Sequence, residues 1–270
     1  FEDPQSTFRS NVLGTQNVCH FSKKAGVKRL IYSASSSCYG KKNKPPFSEE
    51  MEVDCQTPYS LSKWMGEEVC KLYSNLYDLE TIMLRYFNVY GPREPKKGHY
   101  APVIGLFKQQ SALGSPHTIV GTGKQRRDFT YIDDVIDASI LSLDVDSLYA
   151  YGEVFNIGTG KSTSILEISK MIGGPSIQIA DRVGESMETL ADISKARSIL
   201  KYSPAHKLED KITEESFIDL MNSNVLFFKK IFENDLIIKD WGDFTKSIDS
   251  IYEKTKNHDS GKLADYIPQL

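Results

Sequence analysis

Apolar residues recur at helical intervals through the first part of the chain. Val12, Val18 and Phe21 fall on one face of a possible helix, and the segment ends at Gly26 after two lysines. Lysines in a last turn followed by glycine are typical of a helix end. The pattern therefore predicts a helix that begins near Asp3 and stops before Gly26.

The following segment, "VKRLIYSAS", is short, apolar and closed by serines, so we predict a buried parallel strand with polar groups at its carboxyl end. A loop rich in Lys, Pro and Glu leads to a long helix and the strand "LETIMLRYFNVYG". Beyond this strand, helices and strands continue to alternate in "VIGLFKQQSAL", "HTIVG", "RDFTYIDDVIDASILSL", "EVFNIGTG" and "STSILEISKMIGG". Such alternation predicts an α/β fold with a parallel sheet.

The bulk composition excludes several classes of function. The 270 residues are 40% hydrophobic and 26% charged, with a formal net charge of -3, so no basic face indicates a nucleic-acid partner. No apolar run reaches membrane-spanning length, and we expect no membrane association. Four cysteines without zinc-ligand spacing are interpreted as reduced thiols of a cytoplasmic protein, and the five histidines form no metal-ligand cluster.

The segment "TPYSLSKWMGEE" places Tyr59 and Lys63 one helical turn apart. An exposed pair at this spacing contributes little to stability and occurs often by chance. Alternatively, a fixed ammonium beside a phenol favours the phenolate, which can then accept a proton near neutral pH. The spacing alone leaves both interpretations open.

The neighbouring motifs favour the catalytic interpretation. The order of "YSASSSCYG" and "PYSLSK", together with "LRYFNVYGP", "GTGKQRRDFTYIDDV", "FNIGTG" and "RVGESMETLADISKA", resembles the extended short-chain dehydrogenase/reductase family. Within that family it is similar to NAD-dependent nucleotide-sugar epimerases and dehydratases. The resemblance runs from about Asp3 to Asp210.

The resemblance implies a catalytic triad and a cofactor-binding set. Tyr59 would be the general acid/base, and Lys63 would hold the nicotinamide ribose of NAD. Ser35 would hydrogen-bond the reacting hydroxyl, although Ser36 and Ser37 are close enough in sequence to exchange this role. The cofactor-binding residues are then Ser33, Tyr59, Lys63 and Tyr86.

The resemblance also assigns residues to the nucleotide-sugar substrate. Asn88 in "YFNVYG" matches a diphosphate contact, and Arg127 and Arg182 match two diphosphate-binding arginines. A guanidinium suits this task because its planar fork fits phosphate oxygens. Thr189 matches a gate position at which a bulky tyrosine tends to exclude N-acetylated sugars. Ser35 completes the substrate-binding set, and no metal site is implied.

The resemblance begins downstream of one family feature. The glycine-rich GxxGxxG loop that binds the dinucleotide phosphates is not among the 270 residues. We therefore expect a partial doubly wound (Rossmann-type) sheet with a smaller α/β substrate-binding lobe, an open apolar edge on the strand that ends in serines, and little turnover by this chain alone. The expected domains are the C-terminal part of an NAD-binding domain (1–95, with 130–160 returning to it), a nucleotide-sugar lobe (96–212) and a helical tail of unknown role (213–270).

The implied reaction is 4-epimerisation of a UDP-sugar, with UDP-Glc/UDP-Gal first and UDP-GlcNAc/UDP-GalNAc as further candidates. Dehydratases of the same branch place carboxylates just after the catalytic strand, whereas this chain has Ser35 to Cys38 there. A decarboxylase, a reductase and a non-catalytic nucleotide-sugar-binding remnant stay open. A homodimer through the helix of Tyr59 and Lys63 is expected, with Trp64, Val69, Leu72 and Tyr73 as its apolar contacts.

Overall fold

The computed structural model describes residues 3–95, 101–180 and 186–213. The helices are α1 (Pro4–Phe8), α2 (Gly14–Lys24), α3 (Pro58–Tyr77), α4 (Val103–Ala112), α5 (Ile132–Asp144), α6 (Ile165–Ile172) and α7 (Ser194–Ile199). The strands are β1 (Arg29–Ser35), β2 (Glu80–Tyr86), β3 (Val89–Tyr90), β4 (His117–Val120), β5 (Arg126–Asp128), β6 (Thr130–Tyr131), β7 (Glu153–Ile157), β8 (Ser162–Ser164), β9 (Ser176–Ile179) and β10 (Glu188–Thr189). Arg182 and nearly all of the predicted tail lie outside the described residues.

The helix predicted for the first segment is formed, but it is not regular. Asp3 accepts a hydrogen bond from the Ser6 backbone N–H at 2.9 Å and so caps α1. A π-helical turn, Arg9–Leu13, then separates α1 from α2. Such a turn contains one additional residue within an otherwise α-helical segment and changes the direction in which the following side chains point.

The central sheet is parallel and has the order β1-β2-β7. Ser33 of β1 is in register with Leu84, and Ser35 is in register with Tyr86 at the end of β2. Because the carboxyl ends of parallel strands meet at one sheet edge, the serines and Tyr86 share that edge. Among the described strands, β1 pairs along one side only, with β2.

Three smaller sheets accompany the central one, in the orders β10-β5-β8, β3-β6 and β4-β9. Their pairings are parallel except β5 with β8, which is antiparallel. The predicted α/β class with a partial doubly wound parallel sheet is confirmed, and the antiparallel pair is an addition that the alternating pattern did not reveal.

The core is divided into separate apolar clusters. One contains Ile82, Leu84, Phe87 and Phe155 beneath the central sheet, and a second is formed around Ile104, Phe107 and Ile119 in the later part of the chain. The described residues nevertheless belong to one compact unit. The boundary expected at residue 95 therefore stays a prediction. Within the described part, no helix has the length and apolar character needed to cross a bilayer.

Candidate active site

Helix α3 begins directly before the tyrosine that the sequence singles out. Thr57 and Ser60 form a capping box, in which the Ser60 N–H donates to Thr57 Oγ1 and the Thr57 N–H donates to Ser60 Oγ, both at 3.0 Å. Pro58 occupies the first turn, where its missing N–H costs nothing. These residues fix Tyr59 in the first turn, and its side chain is half exposed.

Lys63 follows one turn later and is partly buried. Burial lowers the pKa of its ammonium, whereas Glu67 and Cys70 act in the opposite direction. The Nζ atom lies 4.6 Å from the ring centroid of Tyr32 on β1. In the described residues, no hydrogen bond joins the Tyr59 hydroxyl to Lys63 or to Ser35, so the phenol group is open to a ligand.

The serine cluster lies at the carboxyl end of β1. Ser35 Oγ and Ser37 Oγ are 2.9 Å apart, and Ser35 also accepts from the Ser37 N–H at the start of a short 3-10 helix. The Ser33 hydroxyl lies 3.3 Å from the hydroxyl of Tyr86. The structure thus brings two predicted cofactor-binding residues into contact and places Ser35 beside them in register.

A second group forms around the loop that follows β2. Asn88 has a positive φ of 23° and its amide nitrogen donates to the Asp128 carbonyl at 3.0 Å and to Thr189 Oγ1 at 3.1 Å. Thr189 of β10 pairs with Arg127 of β5 in the parallel register. Three of the predicted substrate residues, distant in sequence, therefore lie together, while Arg182 is outside the described residues.

Asp128 holds this second group in place, and sequence reasoning missed it. Its buried carboxylate accepts hydrogen bonds from Thr159 N–H, Thr159 Oγ1, Gly160 N–H and Ala191 N–H at distances of 2.8, 2.7, 3.0 and 3.1 Å. Burial raises the pKa of this carboxyl and the hydrogen bonds lower it. The acidic residue next to Arg127 and the glycines of "NIGTG" were the available signals.

A buried polar network connects the elements that carry both groups. Arg85 of β2 donates to both carboxylate oxygens of Glu67 on α3, at 3.0 and 2.7 Å, and to the Tyr39 hydroxyl at 3.0 Å. Tyr39 in turn donates to Asn156 Oδ1 of β7 at 2.6 Å. Neither Glu67 nor Arg85 was predicted, because a sequence does not show which distant charges will pair.

The end of β1 suits the nicotinamide-ribose part of a dinucleotide. Ser33 and Tyr59 present exposed hydroxyls, and the ammonium of Lys63 adds a further donor. Tyr86 is partly exposed, whereas the adjacent Phe87 is completely buried in the core. Among the described residues, no glycine-rich loop is available for the dinucleotide phosphates. A cavity of about 670 Å³ between the end of α5 and α7 contains none of the predicted site residues.

Comparison with known proteins identifies the family. Residues 1–158 match the model of the NAD dependent epimerase/dehydratase family. The chain is 32% identical over 221 residues to the UDP-glucose 4-epimerase of Mycolicibacterium smegmatis, covering 79% of this chain and 69% of that protein. It is 36% identical over 169 residues, 60% of this chain and 50% of the relative, to a UDP-N-acetyl-alpha-D-glucosaminuronate decarboxylase of Bacillus cytotoxicus.

A solved structure supports the same assignment. The UDP-glucose 4-epimerase of Thermotoga maritima with UDP-glucose superposes with a TM-score of 0.75 at 30% identity, over 82% of this chain and 73% of that one. The chain thus spans between half and three quarters of the length of these relatives. It belongs to the NAD-dependent epimerase/dehydratase family of enzymes.

Proposed function

We propose that the chain serves the 4-epimerisation of a UDP-sugar. The observation that carries this proposal is the contact of Asn88 with Thr189 and the Asp128 carbonyl, only two residues beyond Tyr86. One continuous segment thereby connects the serine and tyrosine end of the central sheet with the group that contains Arg127. A ligand with a sugar at one end and a diphosphate at the other matches this arrangement.

Each residue then has a defined task. Tyr59 takes the proton from the sugar's 4-hydroxyl and later returns it, and Ser35 hydrogen-bonds the same oxygen. Lys63 holds the ribose of the cofactor and favours the phenolate form of its neighbour. When bound, NAD supplies the reversible hydride acceptor that this chemistry needs. Because the sugar is first oxidised to a 4-keto form and then reduced, there is no net redox change.

The proposed substrate class rests on the residues that the resemblance assigns to the diphosphate. Arg127 is assigned to the diphosphate together with Arg182, and Asn88 lies beside it. Removal of one bidentate arginine–phosphate contact should weaken UDP-glucose binding at least about tenfold. Calorimetric titration of UDP-glucose into the 270-residue chain and into Arg127→Ala tests this, with the exposed Arg197→Ala as control. Equal affinity in all three proteins would contradict the assignment.

The gate at Thr189 defines the breadth of substrates. Its small side chain leaves room for an N-acetyl group, so we propose UDP-GlcNAc/UDP-GalNAc beside UDP-Glc/UDP-Gal. Thr189→Tyr should weaken binding of UDP-GlcNAc relative to UDP-Glc by about tenfold or more, because the ring would occupy that space. Thr163→Tyr on β8, which pairs with the opposite side of β5, is the control and should leave this ratio unchanged. An unchanged affinity ratio in Thr189→Tyr would count against the gate.

Two alternatives are separated by further measurements. The decarboxylase relative keeps a different reaction on a UDP-sugar in view, and release of carbon dioxide from a UDP-uronic acid would favour it. For the 270 residues themselves, we propose UDP-sugar binding with weak NAD binding and little turnover, because no phosphate loop is among them. Single-turnover rates typical of an efficient epimerase would contradict this last point.

We also propose a homodimer through α3 and a cytoplasmic location. For the dimer, the support is the row of exposed apolar side chains on α3. Trp64 and Tyr73, expected to face the partner, instead pack in the core, whereas Leu72 is exposed.

A further inference from the structure

Tyr32 lies beneath the lysine of the proposed active site. Its ring is buried on β1 between the sheet and α3, with 9% of its surface exposed. The Nζ atom of Lys63 sits 4.6 Å from the ring centroid. An aromatic face attracts a cation at this range, and the attraction grows when water is excluded.

The hydroxyl of the same tyrosine contacts the backbone that carries the lysine. It donates a hydrogen bond to the Lys63 carbonyl oxygen at 3.2 Å. Tyr32 therefore contacts Lys63 at two points, the side-chain ammonium and the main chain. Together these contacts hold this turn of α3 against β1 and set the direction of the Lys63 side chain.

Gly66 provides the space for this arrangement. A Cβ atom at position 66 would lie 2.2 Å from the Tyr32 hydroxyl oxygen and 2.7 Å from the ring carbon that bears it. Glycine within a helix is destabilising relative to alanine. Its presence in the middle of the 20-residue helix α3 is explained by the close approach of the tyrosine.

The groups around Lys63 include a neutral aromatic ring, that of Tyr32, in contact with its ammonium. Burial raises the pKa of the Tyr32 hydroxyl well above its usual value, so it stays neutral and does not compete for the lysine's proton. The charged or titratable groups that influence Lys63 are Glu67 and Cys70, both on α3. Glu67 is already held by Arg85 in a bidentate pair. The ring face thus favours the charged lysine in addition to Glu67, without forming an ion pair with it.

We propose that Tyr32 is a positioning residue for Lys63, whose ammonium is held against the ring face of the tyrosine. The inference rests on the proposed function, in which Lys63 holds the cofactor's ribose and acts on Tyr59. Gly66 belongs to the same arrangement, because it lets the ring approach the helix.

Competitive acetylation of lysines, followed by mass spectrometry across a pH series, tests the proposal without substrate or cofactor. Lys44, which is exposed, is the internal reference. Tyr32→Leu removes the ring face but fills most of the space. The fraction of Lys63 present as free amine at pH 8, and with it the acetylation rate of Lys63, should therefore rise about fivefold. Tyr32→Phe keeps the ring and should stay within twofold of the parent chain.

Another lysine–tyrosine pair in the same protein is the matched control. Lys23 lies 4.3 Å from the ring centroid of Tyr77, so Tyr77→Leu should change Lys23 and leave Lys63 unchanged. If Tyr32→Leu does not fold by circular dichroism, Gly66→Ala replaces it, because the added methyl displaces the ring without deleting it. For Gly66→Ala we again expect faster acetylation of Lys63, with the midpoint of its pH curve at a lower pH than in the parent chain.

Two results would overturn the proposal. One is an unchanged midpoint for Lys63 in folded Tyr32→Leu or Gly66→Ala, and the other is an equal change in Tyr32→Phe, which would assign the effect to the hydroxyl. Loss of UDP-glucose binding does not enter this readout. Calorimetry with UDP-glucose tests the proposed function, and acetylation of Lys63 tests the role of Tyr32, so the failure of one is distinguishable from the failure of the other.

Discussion

His117 shows how a single side chain can tie together a region far from the proposed active site. The imidazole is fully buried, stacks on Phe107 with ring centroids 4.7 Å apart, and has both nitrogens in hydrogen bonds. Nε2 lies 2.7 Å from Ser111 Oγ on α4, and Nδ1 lies 2.8 Å from Ser169 Oγ on α6. One ring thus connects β4 to two helices.

This burial predicts a pH dependence of stability. Burial lowers the pKa of His117, while a hydrogen bond to the backbone of Phe107 has a smaller, opposite effect. The folded chain therefore binds this proton less readily than the unfolded chain, whose histidines titrate at about pH 6.5. The stability that comes from burying the neutral imidazole is complete above that pH and is lost as the pH falls below it. The urea midpoint of unfolding should therefore be lower at pH 5.5 than at pH 7.5, and His117→Gln should reduce the difference.

The exposed histidine of α2 provides the comparison for that experiment. His20→Gln removes an imidazole that is open to solvent and should leave the pH response of the parent chain unchanged. If His117→Gln and His20→Gln have the same pH response as the parent, the buried imidazole is not the group that titrates.

Most helices and strands were predictable, because apolar periodicity and capping residues are local signals. Thr57, Pro58 and Gly26 indicate where helices start or end, and the structure places α3 and the end of α2 accordingly. The π-helical turn was not predictable, since one additional residue in a turn leaves the apolar spacing nearly unchanged. The orientation of Trp64 and Tyr73 was also missed, because α3 has apolar residues on more than one face.

The pair of Glu67 and Arg85 determines how α3 is seated on β2, and its removal should be costly. Glu67 is fully buried and Arg85 is 3% exposed. Glu67→Gln leaves a buried guanidinium without its charge partner, and we expect a loss of about 3–5 kcal/mol in the free energy of unfolding. Glu68→Gln, one residue along, removes only a surface pair with Lys71 and should cost less than about 1 kcal/mol. Chemical denaturation of both variants measures the difference.

An apolar replacement separates the charge pair from the rest of the network. Glu67→Met with Arg85→Met removes both charges, so most of the lost free energy should return. The free energy of unfolding is the measurement here, because loss of Glu67 alters the pKa of Lys63 directly. A double variant as unstable as Glu67→Gln would show that the network contributes through more than its charge pair.

The assembled site could be predicted only in part, since its two groups meet through pairings between distant segments. The resemblance assigned Asn88, Arg127 and Thr189 to one ligand, and the structure brings the three residues together. It did not reveal Asp128, whose role depends on a loop about thirty residues downstream and on Ala191. Tyr32 and Gly66 were likewise hidden, because their contact exists only once α3 lies on β1.

The exposed apolar row on α3 predicts self-association of the whole chain. Leu72 and Leu76 are 50% and 63% exposed. A groove of about 380 Å³ reaches α3 at Val69, one turn before Leu72, and is lined by Phe8, Arg9, Val12, Leu13, Gln16 and Val69. An isologous pairing would place the leucines of each copy against the groove of the other. Leu72→Glu with Leu76→Glu introduces charges that the interface would have to bury, so the dimer should dissociate in sedimentation velocity experiments.

A second apolar row of similar exposure makes this prediction specific. Ile136 and Ile140 on α5 are 48% and 50% exposed, so Ile136→Glu with Ile140→Glu is the matched control. The control should stay dimeric if α3 forms the interface. Dissociation by the α5 variant alone would move the interface to α5, and a parent chain that sediments as a monomer at all concentrations would remove the dimer. Dissociation by both variants would show that exposed apolar area in general, and not the α3 row with its groove, drives association.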